Sequence, residues 1–173
     1  MKIEIVKVGY LETNCYILIR NDKCLIVDPG AEFDKIIDKI GNNKVLAVLL
    51  THNHFDHVGA LEELKVKYNM NVLQYDNLKE KKYSIEDFDF QVIFTPGHTS
   101  DSVTYYFENE KKMFVGDFIF KNNIGRCDLP TGDINEMYES IEKIKKYDNV
   151  DIYSGHGDIT SLYYEIENNV YFK

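Results

Sequence analysis

A chain of 173 residues has room for one domain with a sizeable core and not for two full catalytic units, so any site must be built within residues 1–173 as a single domain. Its 20 Lys and Arg against 29 Asp and Glu leave a net charge of −9, which argues against a broad nucleic-acid or anionic-membrane surface. The opening Met1-Lys2-Ile3-Glu4-Ile5 lacks the apolar core of a signal peptide, and no stretch is long enough to span a membrane. The expectation is a cytoplasmic protein, monomeric or a small homo-oligomer. Cys15, Cys24 and Cys127 show no Cys-x-x-Cys spacing, so they are expected as reduced thiols, the first two in the core and the third in a polar loop.

In chain order, Ile3 to Val8, Asn14 to Ile19 and Cys24 to Val27 are rich in β-branched residues and broken by Asn21-Asp22 and Asp28-Pro29-Gly30. They predict three strands, antiparallel at the start. Phe33, Ile36, Ile37 and Ile40 have the spacing of an amphipathic helix that Gly41 stops, and Val45 to Leu50 is a short apolar run suited to a buried strand. Val58, Leu61, Leu64 and Tyr68 predict one further helix, followed by strands at Val72-Leu73 and Phe90 to Phe94 with an unassigned polar stretch between them. Val103 to Phe107 and Met113 to Val115 read as a hairpin. Ile134 to Ile144 is a helix with Asp133 and Glu136 as N-cap and N3 pair, Val150 to Tyr153 a strand, and a last helix starts near Ser161. Strand, helix, strand runs twice, from Asp28 to His52 and from Asp117 to His156, and the second copy carries an extra loop, Phe118 to Thr131.

The five histidines stand where a two-metal site would need them: His52, His54 and His57 in one run, His98 after Pro96-Gly97, and His156 between Gly155 and Gly157. Alone, His98 or His156 would read as an ordinary polar residue, but that reading must account for all five. Each proposed ligand follows an apolar strand, and strand ends on one sheet edge converge. His52 and His57 are five apart with no intervening glutamate, unlike the helical His-Glu-x-x-His of zinc proteases. Imidazole with carboxylate suits zinc, with iron or manganese as further fits.

His-x-His-x-Asp-His at residues 52–57, Gly97-His98, Gly116-Asp117 and Gly155-His156-Gly157 together resemble the metallo-β-lactamase superfamily over nearly the whole chain. The resemblance implies an α/β fold, a four-layer αββα sandwich, holding two divalent metal ions. It assigns His52, His54 and His98 to one metal, Asp56, His57 and His156 to the other, and Asp117 to both. Asp28 resembles the family's aspartate that steadies ligands by hydrogen bonding. Asp117 stands where some lactam-hydrolysing members carry a cysteine ligand, and His54 where the di-iron flavoproteins carry glutamate. Gly125 to Pro130, the helix from near Asp133 and Ser154 to Thr160 are similar to the glyoxalase II, or hydroxyacylglutathione hydrolase, branch and its small bacterial relatives. The helical domain that helps bind glutathione in larger members is absent, and Gly157-Asp158 replaces a tyrosine-bearing sequence.

The activity implied is hydrolysis of a small-molecule thioester by a hydroxide bridging the metals, with Asp56 and Asp117 as catalytic residues that orient it. Arg126 is the substrate-contact candidate, since a guanidinium can clamp a carboxylate at two points. A persulfide dioxygenase with one iron on His52, His98 and Asp117 is the alternative enzyme, and a noncatalytic metal-binding module on the same fold the alternative class.

Overall fold

A computed structural model describes residues 1–173. The elements are β1 (Lys2–Val8), β2 (Thr13–Arg20), β3 (Lys23–Val27), α1 (Phe33–Ile40), β4 (Lys44–Leu49), α2 (Phe55–Val58), α3 (Leu61–Tyr68) and β5 (Asn71–Leu73) in the first half. The second half contains β6 (Lys82–Ile85), β7 (Phe88–Phe94), β8 (Val103–Phe107), β9 (Lys112–Gly116), β10 (Ile119–Phe120), β11 (Asn123–Ile124), α4 (Ile134–Ile144), β12 (Asp151–Ser154), β13 (Thr160–Ser161) and α5 (Leu162–Asn168).

Two large sheets follow. One has the order β1-β2-β3-β4-β5, the other β13-β12-β9-β8-β7-β6. The first three strands pair antiparallel, whereas β3, β4 and β5 run parallel, as β9 and β12 do in the second sheet. The expected repeat is therefore present as two parallel pairs joined by crossovers that contain α1 and α4.

Strand alternation sorts the apolar side chains into three cores. In β2 and β3, Tyr16, Leu18, Leu25 and Val27 face the second sheet's Phe88, Phe90, Val103, Tyr105 and Phe114. Cys15, Ile17, Cys24 and Ile26 point the other way and pack on Ile36 and Ile40 of α1 and Leu64 of α3. Met113, Val115 and Ile152 on the outer face of the second sheet meet Met137, Ile141 and Ile144 of α4 and Leu162 of α5. Three cores between four layers constitute the αββα sandwich. Cys15 and Cys24 are buried core residues and Cys127 is half-buried, all three free.

Local differences from the sequence reading have simple causes. The helix expected across Val58 to Tyr68 is two, α2 and α3, separated at Gly59-Ala60. The unassigned polar stretch contains β6, which covers the edge of β7. Asp133 does cap α4, accepting from the N–H groups of Asn135 and Glu136, but no reciprocal bond from Glu136 is made. The extra loop is ordered in part by the β10–β11 hairpin.

Leu25 is fully buried in the middle core. Leu25→Ala is expected to lower unfolding stability by about 2–5 kcal/mol through the cavity it leaves. Urea denaturation would read this as a lower midpoint at unchanged slope, and a shift below about 0.5 kcal/mol would contradict the tight packing assigned there.

Candidate metal centre

The donors lie where the ends of both sheets meet, not on the edge of one sheet as the sequence reading had it. Beyond β4 the chain is pinned by a backbone bond from the Val103 N–H to the Thr51 carbonyl, 2.7 Å, which links it to the second sheet. Asn14 of β2 likewise donates its N–H to the Gly155 carbonyl at 2.7 Å and its side-chain amide to the Ser154 carbonyl. His52, His54, Asp56 and His57 thus come from the first half, and His98, Asp117 and His156 from loops after strands of the second.

Hydrogen bonds decide how each imidazole faces. Thr51 donates its N–H to Asp28 Oδ1 at 2.8 Å and its hydroxyl to Asp28 Oδ2 at 2.6 Å. The hydroxyl proton is then used, so the 3.1 Å contact from His52 Nδ1 to Thr51 Oγ1 has the imidazole as donor, leaving a lone pair on His52 Nε2. His57 Nδ1 donates to Asp28 Oδ2 at 2.9 Å, His98 Nδ1 to the Arg126 carbonyl at 2.7 Å, and His156 Nδ1 to the Leu11 carbonyl at 3.0 Å. Those four rings present Nε2 to the centre, whereas His54 presents Nδ1. Such outer bonds are the usual device for fixing a ligating histidine.

Two donor clusters result. His54 Nδ1 lies 3.1 Å from His52 Nε2 and 3.0 Å from His98 Nε2, and Asp117 Oδ2 is 3.7 Å from His98 Nε2. Nearby, Asp56 Oδ2 is 3.4 Å from His57 Nε2 and 3.1 Å from His156 Nε2, while Asp117 is 3.3 Å from His57 and 3.5 Å from His156. Tetrahedral ligation with bonds of about 2.1 Å has donor–donor edges of roughly 3.4 Å, which these separations straddle. His57 Nε2 and Asp117 Oδ1 are buried without any hydrogen-bond partner, misaligned for one with each other. Each such atom costs about 1–3 kcal/mol unless something pairs with it. Divalent cations held by these donors would pair with both atoms, so the donor set fits metal.

Charge is arranged to match. Burial and the neighbouring His57 hold His52 well below the usual histidine range, and burial also lowers His54, so both are neutral lone-pair donors. Burial opposes charge on His57 too, but Asp28 and Asp117 outweigh it and push the group up to about 10. His156 rises against burial to about 9 through Asp117 and Asp56. Burial works against the ionised carboxylates, yet His156 and His57 hold Asp56 at about 2 and Asp117 well below its ordinary value. Metal entering the second cluster must therefore displace protons from His57 and His156.

Close backbone approach explains the glycine before His156. A Cβ on Gly155 would sit 2.2 Å from Asp117 Oδ1 and 2.7 Å from His57 Cε1, inside the donor cluster. Above the donors opens a cavity of about 1110 Å³. Arg126 lines it, but its guanidinium is already held by Asp128, Nε and Nη2 each 2.7 Å from a carboxylate oxygen. It reaches the donors through its carbonyl instead, on His98. Sequence reasoning missed Thr13, whose hydroxyl donates to Asp56 Oδ2 at 3.0 Å, and the Leu11 carbonyl, neither of which carries a local signal. Thr51 had one, as the residue leading into the histidine run.

Sandwich and donor arrangement define a class, the metal-binding hydrolases built on two sheets with the site at their shared edge. The chain belongs to the Metallo-beta-lactamase superfamily, whose family model matches residues 8–82 and 71–156. It is 34% identical to the probable metallo-hydrolase YqgX of Bacillus subtilis strain 168, over 98% of this chain and 96% of that one. It is 30% identical to the hydroxyacylglutathione hydrolase GloC of Haemophilus influenzae, over 98% and 97%. The crystal structure of the BLEG-1 B3 metallo-β-lactamase superposes with TM-score 0.95 at 30% identity, covering 99% of this chain and all of that one. No helix is long and apolar enough to cross a membrane.

Without metal, the raised imidazoles stabilise the fold fully below about pH 6.5 and lose that contribution as pH climbs through 9 to 10. The melting temperature of chelator-treated protein should fall between pH 7 and 10, and metal-loaded protein should lose less, because ligation needs those rings neutral. A rise for the chelated form would mean that His57 and His156 are not charged there. Gly155→Ala should cut metal content per chain at least about tenfold by elemental analysis. Full metal content in a folded variant would contradict the contact at Asp117.

Proposed function

We propose that the protein is a metal-dependent thioester hydrolase of the glyoxalase II type with two divalent cations, zinc first among them. His52, His54 and His98 hold one, Asp56, His57 and His156 the other, and Asp117 serves both. The observation that carries this reading is the convergence of seven side chains on two adjacent donor clusters with buried, unpaired atoms between them. Similarity to GloC along almost the whole chain supports the thioesterase assignment. Bound there, divalent ions supply hydroxide at neutral pH and polarise a carbonyl oxygen.

The chain's own residues do the rest. Asp56 and Asp117 are the catalytic residues: both stay ionised at neutral pH, would help hold the cations, and one of them would accept the single O–H of the hydroxide to orient it toward the thioester carbon. Thr13 fixes Asp56 in that pose, and Asp28 holds His57. A thiol of pKa near 8.5 leaves readily as thiolate, so no separate general acid is required. The substrate is a small molecule rather than a nucleic acid or a membrane, and the protein works in the cytoplasm as a monomer or small homo-oligomer.

Elemental analysis followed by parallel assays on thioesters, persulfides and a β-lactam tests the proposal. Two metals per chain and thioester cleavage are expected. His98→Ala should lower kcat/KM by more than the ~100-fold that loss of an outer hydrogen-bond partner costs at metal sites. One iron per chain with persulfide-dependent oxygen uptake and no thioester cleavage would overturn it in favour of a dioxygenase using His52, His98 and Asp117. β-Lactam cleavage alone would overturn it in favour of lactam hydrolysis.

A further inference from the structure

The cavity above the donors has two apolar walls. From the first half, the turn between β1 and β2 carries Tyr10 and Leu11, and Phe55 lies within the histidine run. Tyr10 and Phe55 are 82% and 61% exposed and stack on each other, ring centroids 6.3 Å apart and 19° between planes. From the second half, Phe120, Ile124 and Leu129 come from the β10–β11 hairpin and the loop after it. Scattered apolar side chains on a surface need no explanation, but a stacked pair and a second apolar group lining one cavity beside the donors are the usual make-up of a ligand site.

Charge in the same cavity points the same way. Arg126 is the one lysine or arginine side chain among the lining residues, and the Nε–Nη2 edge of its guanidinium is taken by Asp128, leaving the Nη1 edge as the one open to a ligand. Asp101, an acidic side chain lining the same cavity, accepts from Asn53 at 2.6 Å. A carboxylate-bearing thiol would share Arg126 with Asp128 and enter a cavity that Asp101 also lines, in a chain of net charge −9.

Resting on the thioesterase reading, we propose that the thiol half of the substrate is uncharged and apolar, seated between the Tyr10-Phe55 stack and the Phe120 wall, and that carboxylate-bearing thiols such as glutathione are selected against. The Arg126–Asp128 pair is then a specificity element: Asp128 occupies one edge of the one guanidinium lining the cavity and offsets its charge.

The test uses the metal-loaded full chain and one acyl group carried on benzyl mercaptan or glutathione. The benzyl thioester should exceed the glutathione thioester in kcat/KM by about tenfold or more. Tyr10→Ala should narrow that ratio through a higher KM for the benzyl ester. Asp128→Asn, which frees Arg126 at an exposed position, should raise kcat/KM on the glutathione thioester about threefold or more. Equal or better hydrolysis of the glutathione thioester by the unmodified protein, or no gain in Asp128→Asn, would overturn the proposal. Titration with benzyl methyl sulfide and S-methylglutathione, neither of which can be cleaved, reads the preference independently of catalysis. Tighter binding of S-methylglutathione overturns the apolar seat, whereas failure to cleave any thioester overturns the hydrolase reading instead.

Discussion

The buried carboxylate of Asp28 is the point on which the donor arrangement depends. It sits just past β3 with its backbone in the left-handed region, φ 50°, and accepts from the Thr51 N–H, the Thr51 hydroxyl and His57 Nδ1. A carboxyl group only 2% exposed is tolerable because both its oxygens are hydrogen-bonded. Through Thr51 it sets the ring of His52, and directly it sets that of His57, so one anion orients histidines facing both donor clusters. Removing it would free two rings and leave Thr51 without acceptors at the end of β4.

That hub works because the sheets are stitched together on the same side. Tyr105 of β8 donates its hydroxyl to the Leu50 and Leu73 carbonyls of the opposite sheet, and Tyr16 of β2 donates to the Ser154 carbonyl. Each tyrosine keeps its ring in the middle core and its hydroxyl on the backbone just before a donor loop. Core packing and donor placement are therefore one problem. A shift of one sheet against the other would separate Asp117 and His156 from Asp56 and His57, which is why a site made of loop residues can hold spacings of 3.1–3.5 Å.

Much of this was legible in the chain itself because it is local. Phe33, Ile36 and Ile40 repeat at helical spacing, β2 and β3 alternate, and the histidine run lies directly after an apolar strand. What escaped is not local. Thr13 reaches Asp56 across 43 residues and the Leu11 carbonyl reaches His156 across 145, and nothing in the short-range pattern near either residue reports such a meeting. The charge of the Arg126 side chain points to the cavity it lines, but nothing in the sequence reports that its backbone carbonyl also holds His98 or that Asp128 pairs with its guanidinium. The break between α2 and α3 was masked because Val58, Leu61 and Leu64 keep a helical period across Gly59-Ala60.

Leu11 and Arg126 each hold a histidine by a main-chain carbonyl while their side chains line the cavity. A carbonyl is the same in every residue type, so at these two positions the side chain can be exchanged without altering the group that orients His156 or His98. Recognition and chemistry are thereby carried on separate atoms of the same residues. A chain built this way can change what it accepts by ordinary point substitution while its reactive centre stays as it is, which is a physical route by which one donor arrangement serves many substrates.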